Sequence, residues 1–213
     1  MEFSFEVFRD AIVSRNFALN EYQINQASRF AVILHRENLL QNLTRITGVD
    51  AFVNGHLLDV IELFHVEQLG TRVLDIGSGC GVPGLLAAAI DLDTRRTWFL
   101  ADSEISKADY LKSAALELGL ERVTVFSKRA EEVSILVKPD TIIARAVGSV
   151  EKICAWVWNC STWNNLVLFK SKGWEEEWKQ AKLSRFGKKL TATQLIEYSS
   201  EDKYRILVSL KRN

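Results

Sequence analysis

Hydrophobic positions in the first third of the chain recur every three to four residues, the spacing of one face of an α-helix. The recurrence is found in three stretches, Phe5 to Ile12, Tyr22 to Leu34 and Val53 to Phe64. From Thr71 onwards, short β-branched or aromatic runs alternate with segments of helical length. We therefore expect an N-terminal helical cap over residues 1–66 and one compact α/β unit over residues 67–213.

Five short runs in the second part are predicted β-strands because β-branched and aromatic residues favour extended backbone. They are Arg72–Ile76, Thr97–Ala101, Arg122–Phe126, Thr141–Ala144 and Asn165–Phe169. Helical patterns begin near Pro83, Ile105, Val150 and Trp174. The alternation predicts a mostly parallel sheet with helices on both faces. Thr191–Tyr198 and Tyr204–Lys211 are then predicted to form an antiparallel hairpin at the end of the chain.

Composition narrows the class of protein. The 213 residues, 47% of them hydrophobic, are enough for one domain with a sizeable core, and 27 basic residues balance 27 acidic ones. Contact with a nucleic acid must therefore be local, since no global field attracts one. The three cysteines form neither an even disulfide set nor a metal-type cluster. With no leader pattern and no bilayer-length apolar run, we expect a cytoplasmic protein without a metal or a membrane partner.

The densest chemical signal is the segment Val73–Gly84, in which a buried strand is followed by the sequence Gly-Ser-Gly-Cys-Gly-Val-Pro-Gly. Glycines permit positive φ angles and close approach of a ligand to the backbone. Pro83 suits the first turn of a helix, whose free N–H groups attract anionic groups. The loop therefore predicts a binding site for a small ligand that carries an anionic group.

Two cofactors compete for this loop. The spacing Gly79-x-Gly81-x-x-Gly84 matches a dinucleotide fingerprint, which indicates NAD only weakly. Asp75 would repel a pyrophosphate, but it suits S-adenosylmethionine (SAM), which carries an ammonium and a sulfonium beside its carboxylate. Asp102 ends the second strand, where an acid binds ribose hydroxyls in both cofactor classes. These residues favour SAM over NAD, and a purely structural glycine turn is the third alternative.

The chain also resembles a known family, the RsmG (GidB) methyltransferases, along nearly its whole length. The resemblance is carried by an ordered series of motifs: Asn42-Leu43-Thr44, Gly55-His56-Leu57-Leu58-Asp59, Leu74 to Gly84, Asp102-Ser103, Arg129 to Glu132, Ala144-Arg145-Ala146 and Lys170 to Gly173. The family pattern often has a basic residue where this chain has Gly55. Membership implies a Rossmann-like SAM-dependent sheet, mostly parallel with its last strand antiparallel. It also implies methylation of guanosine N7 in 16S ribosomal RNA, so the expected partner is ribosomal RNA or the small ribosomal subunit.

The resemblance assigns roles to individual residues. Expected cofactor contacts, including those predicted from the loop itself, are Asp75, Gly77, Ser78, Gly79, Val82, Asp102, Ala130, Glu131 and Arg145. Expected RNA-positioning residues are His56, Arg129, Lys170 and Lys172, and Arg145 could hold either the methionine carboxylate of SAM or an RNA phosphate. Three of the expected site residues have a structural alternative: Arg145 as an ion-pair partner of Glu131 or Asp102, Glu131 as part of a solvated turn, and His56 as a packed core histidine.

No catalytic residue is expected, because guanine N7 already has a lone pair and attack requires no general base. Cys80 is interpreted as a packing residue of the loop. Alignment of nucleophile, methyl carbon and sulfur then supplies most of the rate. A related methyltransferase with another RNA or small-molecule substrate, and a non-catalytic SAM- or RNA-binding module, remain alternatives.

Overall fold

The computed structural model describes residues 3–66, 69–200 and 203–213. Its N-terminal part is helical, as predicted. The helices are α1 (Phe5–Ser14), α2 (Glu21–Gln41), α3 (Val49–Ala51) and α4 (Leu58–Val66), with a π-helix at Phe52–Leu57 between α3 and α4. Asn20 begins α2 through a capping box with Gln23, which satisfies two backbone N–H groups that would otherwise lack partners. The predicted boundary between the N-terminal cap and the α/β unit falls between residues 66 and 67, and residue 67 lies outside the described residues.

The rest of the chain forms a seven-stranded sheet of order β3-β2-β1-β4-β5-β7-β6. The strands are β1 (Arg72–Ile76), β2 (Thr97–Ala101), β3 (Val123–Phe126), β4 (Thr141–Arg145), β5 (Asn165–Lys170), β6 (Leu190–Ser200) and β7 (Lys203–Arg212). Strands β1 to β5 are parallel, and β7 runs antiparallel between β5 and β6. The predicted fold class is therefore confirmed. Residues 201 and 202 of the predicted hairpin connection lie outside the described residues.

The helices that cover this sheet are α5 (Gly84–Ile90), α6 (Ile105–Glu117), α7 (Ala130–Val137), α8 (Val150–Val157) and α9 (Trp174–Leu183), followed by a 3-10 helix at Gly187–Lys189. Helix α7 is not among the predicted elements. Its apolar residues Ile135 and Leu136 are exposed between the buried Val133 and Val137, so the apolar positions do not follow the helical repeat.

Two hydrophobic cores lie on opposite faces of the sheet. One joins the N-terminal helices to α5 and α6, through residues such as Phe30, Leu34, Leu85 and Leu111. The other lies under α7, α8 and α9 and contains Trp163 and Trp174. Both tryptophans are buried in this core. Within the described ranges, no helix is both long and apolar enough to cross a membrane.

A buried ion pair closes the amino-terminal end of the sheet. Asp91, which follows α5, accepts hydrogen bonds from Arg96 Nη1 at 2.6 Å and from Trp98 Nε1 at 2.9 Å. Arg96 immediately precedes β2, so this pair lies at the end of the sheet opposite to the loops that follow the parallel strands. Those loops meet where the strand order reverses, between β1 and β4, which is where open α/β sheets bind ligands.

Candidate active site

The loop after β1 turns on three glycines with positive φ: Gly77 at +67°, Gly79 at +51° and Gly81 at +86°. The N–H groups of Gly77 and Ser78 both donate to the carbonyl oxygen of Ala101, at 2.8 and 3.1 Å, which anchors the loop to the end of β2. A Cβ atom on Gly79 would meet only the carbonyl oxygen of Gly77, at 3.7 Å. The loop thus presents bare backbone to the space above it, as close approach by a ligand requires.

That space is a cavity of about 450 Å³, which we call the first cavity. Its volume lies in the range of small-molecule sites. The loops after β1, β2, β3 and β4 all contribute to its wall. Among the lining residues are all the predicted cofactor contacts except Asp75, namely Gly77, Ser78, Gly79, Val82, Asp102, Ala130, Glu131 and Arg145, together with the predicted RNA-positioning residue Arg129.

Asp75 lies beneath the loop and does not line the first cavity. Its side chain is buried, and its Oδ2 accepts the N–H of Gly84 at 3.1 Å. The first N–H of α5 is thus bound by the protein's own carboxyl group, whereas the sequence analysis had left it for a ligand. The other oxygen, Oδ1, has no hydrogen-bond partner in the part of the chain that the structure describes. Burial is the main cause that raises the pKa of Asp75 to about 7.

This raised pKa predicts a pH-dependent loss of stability. The folded protein holds the Asp75 proton more tightly than the unfolded chain, where the pKa is near 3.8. The stabilisation is therefore fully present below the unfolded pKa and is lost as the pH rises through about 7. Between about pH 5 and pH 8, we expect wild type to lose roughly 2–3 kcal/mol more unfolding free energy than Asp75→Asn.

Urea unfolding across that pH range measures the difference. Asp109→Asn is the control, because Asp109 is an exposed residue of α6 that pairs with Lys112. Its pH profile should follow that of wild type. Parallel profiles for wild type and Asp75→Asn would show that the buried carboxyl group does not titrate in this range.

Asp102 fixes the shape of the loop and also lines the first cavity. Its Oδ2 accepts the N–H of Gly79 at 2.8 Å, and its Oδ1 accepts the N–H of Glu104 at 2.9 Å. The carboxylate stands after β2, the position from which an acid reaches ribose hydroxyls in nucleotide-binding sheets. Ala130 and Glu131 begin α7 on the neighbouring side of the cavity, and Arg129 is exposed beside them.

Arg145, at the end of β4, is bound by the N-terminal cap. Its Nη1 donates to Asp59 Oδ2 at 2.6 Å, and its Nη2 lies 3.0 Å from His56 Nδ1. The ion pair predicted as its structural alternative is thus formed with Asp59, and not with Glu131 or Asp102. Because a guanidinium only donates, His56 Nδ1 must accept, so His56 is neutral with its proton on Nε2, 3.3 Å from Thr44 Oγ1. His56 itself is buried and contacts the site through Arg145.

A second cavity of about 720 Å³ adjoins the first one. Arg145 and Ala146 line both cavities. The predicted RNA-positioning residues Lys170 and Lys172 line only the second. Lys170 is largely buried and donates to Glu177 Oε1 at 2.9 Å and to the Gly148 carbonyl at 3.0 Å. Lys172 is exposed, with its Nζ 4.2 Å from the centre of the Tyr204 ring. The two cavities thus divide the predicted site residues between them.

Sequence reasoning missed the group of residues that meets at Asp59. This carboxylate is fully buried and also accepts Tyr198 Oη at 2.7 Å and Arg205 Nη1 at 2.5 Å. Tyr198 and Arg205 are 139 and 146 residues away in the chain, and no local motif signals such contacts. Arg205 Nη2 would lie 3.6 Å from a Cβ on Gly55, the position at which the family pattern often has a basic residue. A cation from the C-terminal hairpin thus lies next to that position.

Cys80 lies in the wall of the first cavity, and burial raises the pKa of its thiol. A protonated thiol is a poor nucleophile, which agrees with its interpretation as a packing residue. No group of three or more His, Cys, Asp or Glu side chains suited to a metal ion occurs among the described residues.

Comparison with known proteins agrees with this geometry. Residues 23–205 match the family GidB, described as rRNA small subunit methyltransferase G. A ribosomal RNA small subunit methyltransferase G from Rhodopirellula baltica is 37% identical over 175 residues, which are 80% of this chain and 73% of that protein. A protein of the same description from Neisseria meningitidis is 33% identical over 71% of this chain and 72% of that protein.

Solved structures show the same fold at low identity. A protein assigned as an O-methyltransferase from Klebsiella pneumoniae aligns with a TM-score of 0.60 and 14% identity, over 94% of each chain. A protein assigned as a methyltransferase from Streptococcus mutans, solved in complex with S-adenosylhomocysteine (SAH), aligns with a TM-score of 0.50 and 12% identity, over 74% of this chain and 97% of that chain. By its sequence matches and its fold, the chain belongs to the GidB family of rRNA small subunit methyltransferases.

Proposed function

We propose that this methyltransferase transfers a methyl group from SAM to N7 of a guanosine in 16S ribosomal RNA of the small subunit, in the cytoplasm. One observation carries the proposal: the first cavity gathers eight predicted cofactor contacts at the point where the strand order of the sheet reverses. Ligands of open α/β sheets bind at that point. The family of the chain supplies the substrate class, and the neighbour solved with SAH supports the cofactor.

The residues of the first cavity fit SAM better than a dinucleotide. Gly77 and Gly79 form a cradle of bare backbone, and Asp102 stands where ribose hydroxyls are bound. Asp75 lies directly below with an oxygen that has no partner among the described residues. A buried carboxyl group with one unpaired oxygen is compatible with a cationic ligand above it, whereas its ionised form would repel a pyrophosphate. When bound, SAM supplies a methyl group on a sulfonium centre.

The chain's own residues then orient the cofactor and the guanine base relative to each other. Guanine N7 has a free lone pair, so no side chain must remove a proton before attack. The buried, protonated thiol of Cys80 is unsuited to covalent catalysis. Arg145 stands at the boundary of the two cavities, where the cofactor in the first would meet the target nucleotide. Orientation of this kind can supply about 7–11 kcal/mol of a barrier.

Titration calorimetry with SAM, SAH and NADH tests the cofactor. We expect SAM and SAH to bind and NADH not to bind. Asp102→Ala removes a charged acceptor that also holds Gly79, so SAM affinity should fall by about 10- to 100-fold, in line with hydrogen bonds to charged groups. Asp109→Ala, an exposed change on α6, should leave the affinity unaltered. Tight NADH binding with no SAM binding would refute the cofactor assignment.

The substrate requires its own experiment. Deletion of the gene should remove one N7-methylguanosine from small-subunit RNA, and purified protein with labelled SAM should restore it on subunits from the deletion strain. An unchanged methylation pattern together with transfer to another RNA or a small molecule would favour a related methyltransferase. SAM or RNA binding without any transfer would favour a non-catalytic module.

A further inference from the structure

Cationic side chains dominate the wall of the second cavity. Arg145, Lys170, Lys172 and Arg205 line it, against one acidic residue, Glu177. Glu177 already binds Lys170 through an ion pair of 2.9 Å. Arg145, Arg205 and Lys172 therefore have no acidic partner within the wall, and a group outside the wall or a ligand can pair with them.

The group outside the wall is the buried carboxylate of Asp59. Arg145 and Arg205 both donate to the same atom, Asp59 Oδ2, from their Nη1 nitrogens. The remaining oxygen, Oδ1, accepts the hydroxyl of Tyr198, which brings no charge. One carboxylate oxygen thus pairs directly with two guanidinium groups. Both guanidiniums are largely buried, at 14% and 16% side-chain exposure, so solvent screens their charges only weakly.

A guanidinium group that is held in place and has unused N–H donors can bind a planar anion such as a carboxylate or a tetrahedral anion such as a phosphate. Arg205 uses one Nη1–H bond on Asp59, whereas Arg145 uses Nη1 on Asp59 and Nη2 on His56, and each guanidinium has five N–H donors in a rigid fork. Arg205 Nε is buried and has no partner in the described part of the chain. Arginine forks bind carboxylates and phosphates, and of these two anions an RNA strand supplies the phosphate. Lys172, exposed at the same wall, adds a third cation.

We propose that the second cavity is a phosphate site for the RNA strand, formed by Arg145 and Arg205 that Asp59 holds side by side, with Lys172 at its edge. The proposal rests on the proposed function, since it places a backbone phosphate beside the base that faces the first cavity. Phosphate contacts fix the register of a strand, whereas contacts to the base specify its sequence. The site would therefore position the target nucleotide without choosing it.

Calorimetry in the presence of saturating SAH tests the site with two probes, guanosine 5′-monophosphate and guanosine. Wild type should bind the monophosphate about tenfold more tightly, the usual value of one charge-assisted contact. Arg205→Met should abolish this preference and leave SAH affinity unchanged. The variant is expected to fold, because Asp59 keeps Arg145 and Tyr198 as partners. Lys172→Met, an exposed change, should reduce the preference in part.

Arg96→Met is the matched control, because Arg96 is also held by a buried aspartate but lies at the opposite end of the sheet. It should lose stability and keep the preference. On small subunits from the deletion strain, Arg205→Met should also reduce the slope of log KM against log salt concentration by about one.

The outcomes separate the two proposals. If Arg205→Met and Lys172→Met both retain the preference for the monophosphate, the phosphate site is overturned even where methylation of subunits proceeds. If Arg205→Met weakens SAH as strongly as the monophosphate, the arginine belongs to the cofactor cavity and the inference is also overturned. If Arg205→Met loses the preference for the monophosphate, the phosphate site is supported. Failure of the wild type to methylate subunits would refute only the proposed function and leave that support in place.

Discussion

Asp59→Asn should lower the free energy of unfolding by about 3–5 kcal/mol, the usual cost of removing one partner from a buried ion pair. The carboxylate is fully buried and is shared by Arg145 and Arg205, so the change leaves two guanidinium groups facing each other without an anion. Natural domains are stable by only about 5–15 kcal/mol, so this single change brings the protein close to unfolding. Urea denaturation at neutral pH measures the loss.

Asp50→Asn is the control for this prediction. Asp50 also pairs with an arginine, Arg15, at 2.8 Å, but its side chain is 73% exposed. Exposed pairs contribute about 1 kcal/mol or less, so the control should unfold almost as wild type does. The double variant Asp59→Asn with Arg205→Met removes one of the uncompensated charges and should regain part of the lost stability. Equal stability of Asp59→Asn and wild type would show that the buried carboxylate does not balance the arginines.

Gly77→Ala should weaken SAM binding by at least tenfold, equivalent to about 1.4 kcal/mol. Gly77 has a φ of +67°, and a Cβ there would overlap Val147 Cγ1, a side chain of the first cavity wall. Either Val147 or the loop must then move into the space that the cofactor requires. The positive φ adds a stability cost of about 1–2 kcal/mol for a residue with a Cβ.

Gly119→Ala is the control, because it introduces backbone strain at a positive φ without blocking the first cavity. Gly119 has a φ of +72°, but a Cβ there would have no neighbour within 4 Å, and the residue follows α6 away from both cavities. It should lose only the stability that the positive φ costs, about 1–2 kcal/mol, and bind SAM with the affinity of wild type. Calorimetry with SAM and urea unfolding of both variants make the comparison. Equal SAM affinity in the two variants would show that the loop tolerates a side chain at position 77.

The sheet was predictable because its signals are local. Each of the five parallel strands is a short run of branched and aromatic residues, and the predicted bounds agree with the structure to within one residue. The residues of the first cavity were predictable for the same reason: they follow directly after strand ends, and parallel strands bring those ends to one edge of the sheet. The grouping of Gly77, Asp102, Glu131 and Arg145 around one space follows from that topology.

Contacts between distant segments were not predictable. Asp59 meets Arg145, Tyr198 and Arg205 across separations of 86, 139 and 146 residues, and nothing in the local sequence pairs these residues. Helix α7 was missed because the exposed Ile135 and Leu136 lie between its two buried valines and hide the helical repeat. The burial of Asp75 was missed because a strand pattern shows which face is inside but not how a neighbouring helix closes over the strand end. Here Gly84 of α5 packs against it.

Arg145 and Ala146 belong to the walls of both cavities, so the two proposed ligands share a boundary. If cofactor binding changes the affinity for RNA by some factor, RNA must change the affinity for the cofactor by the same factor, since linkage between two equilibria is reciprocal. The demethylated product of the cofactor and the modified RNA obey the same relation. If the two products weaken each other's binding, each is therefore held less tightly in the complex that contains both than in the complex that contains it alone.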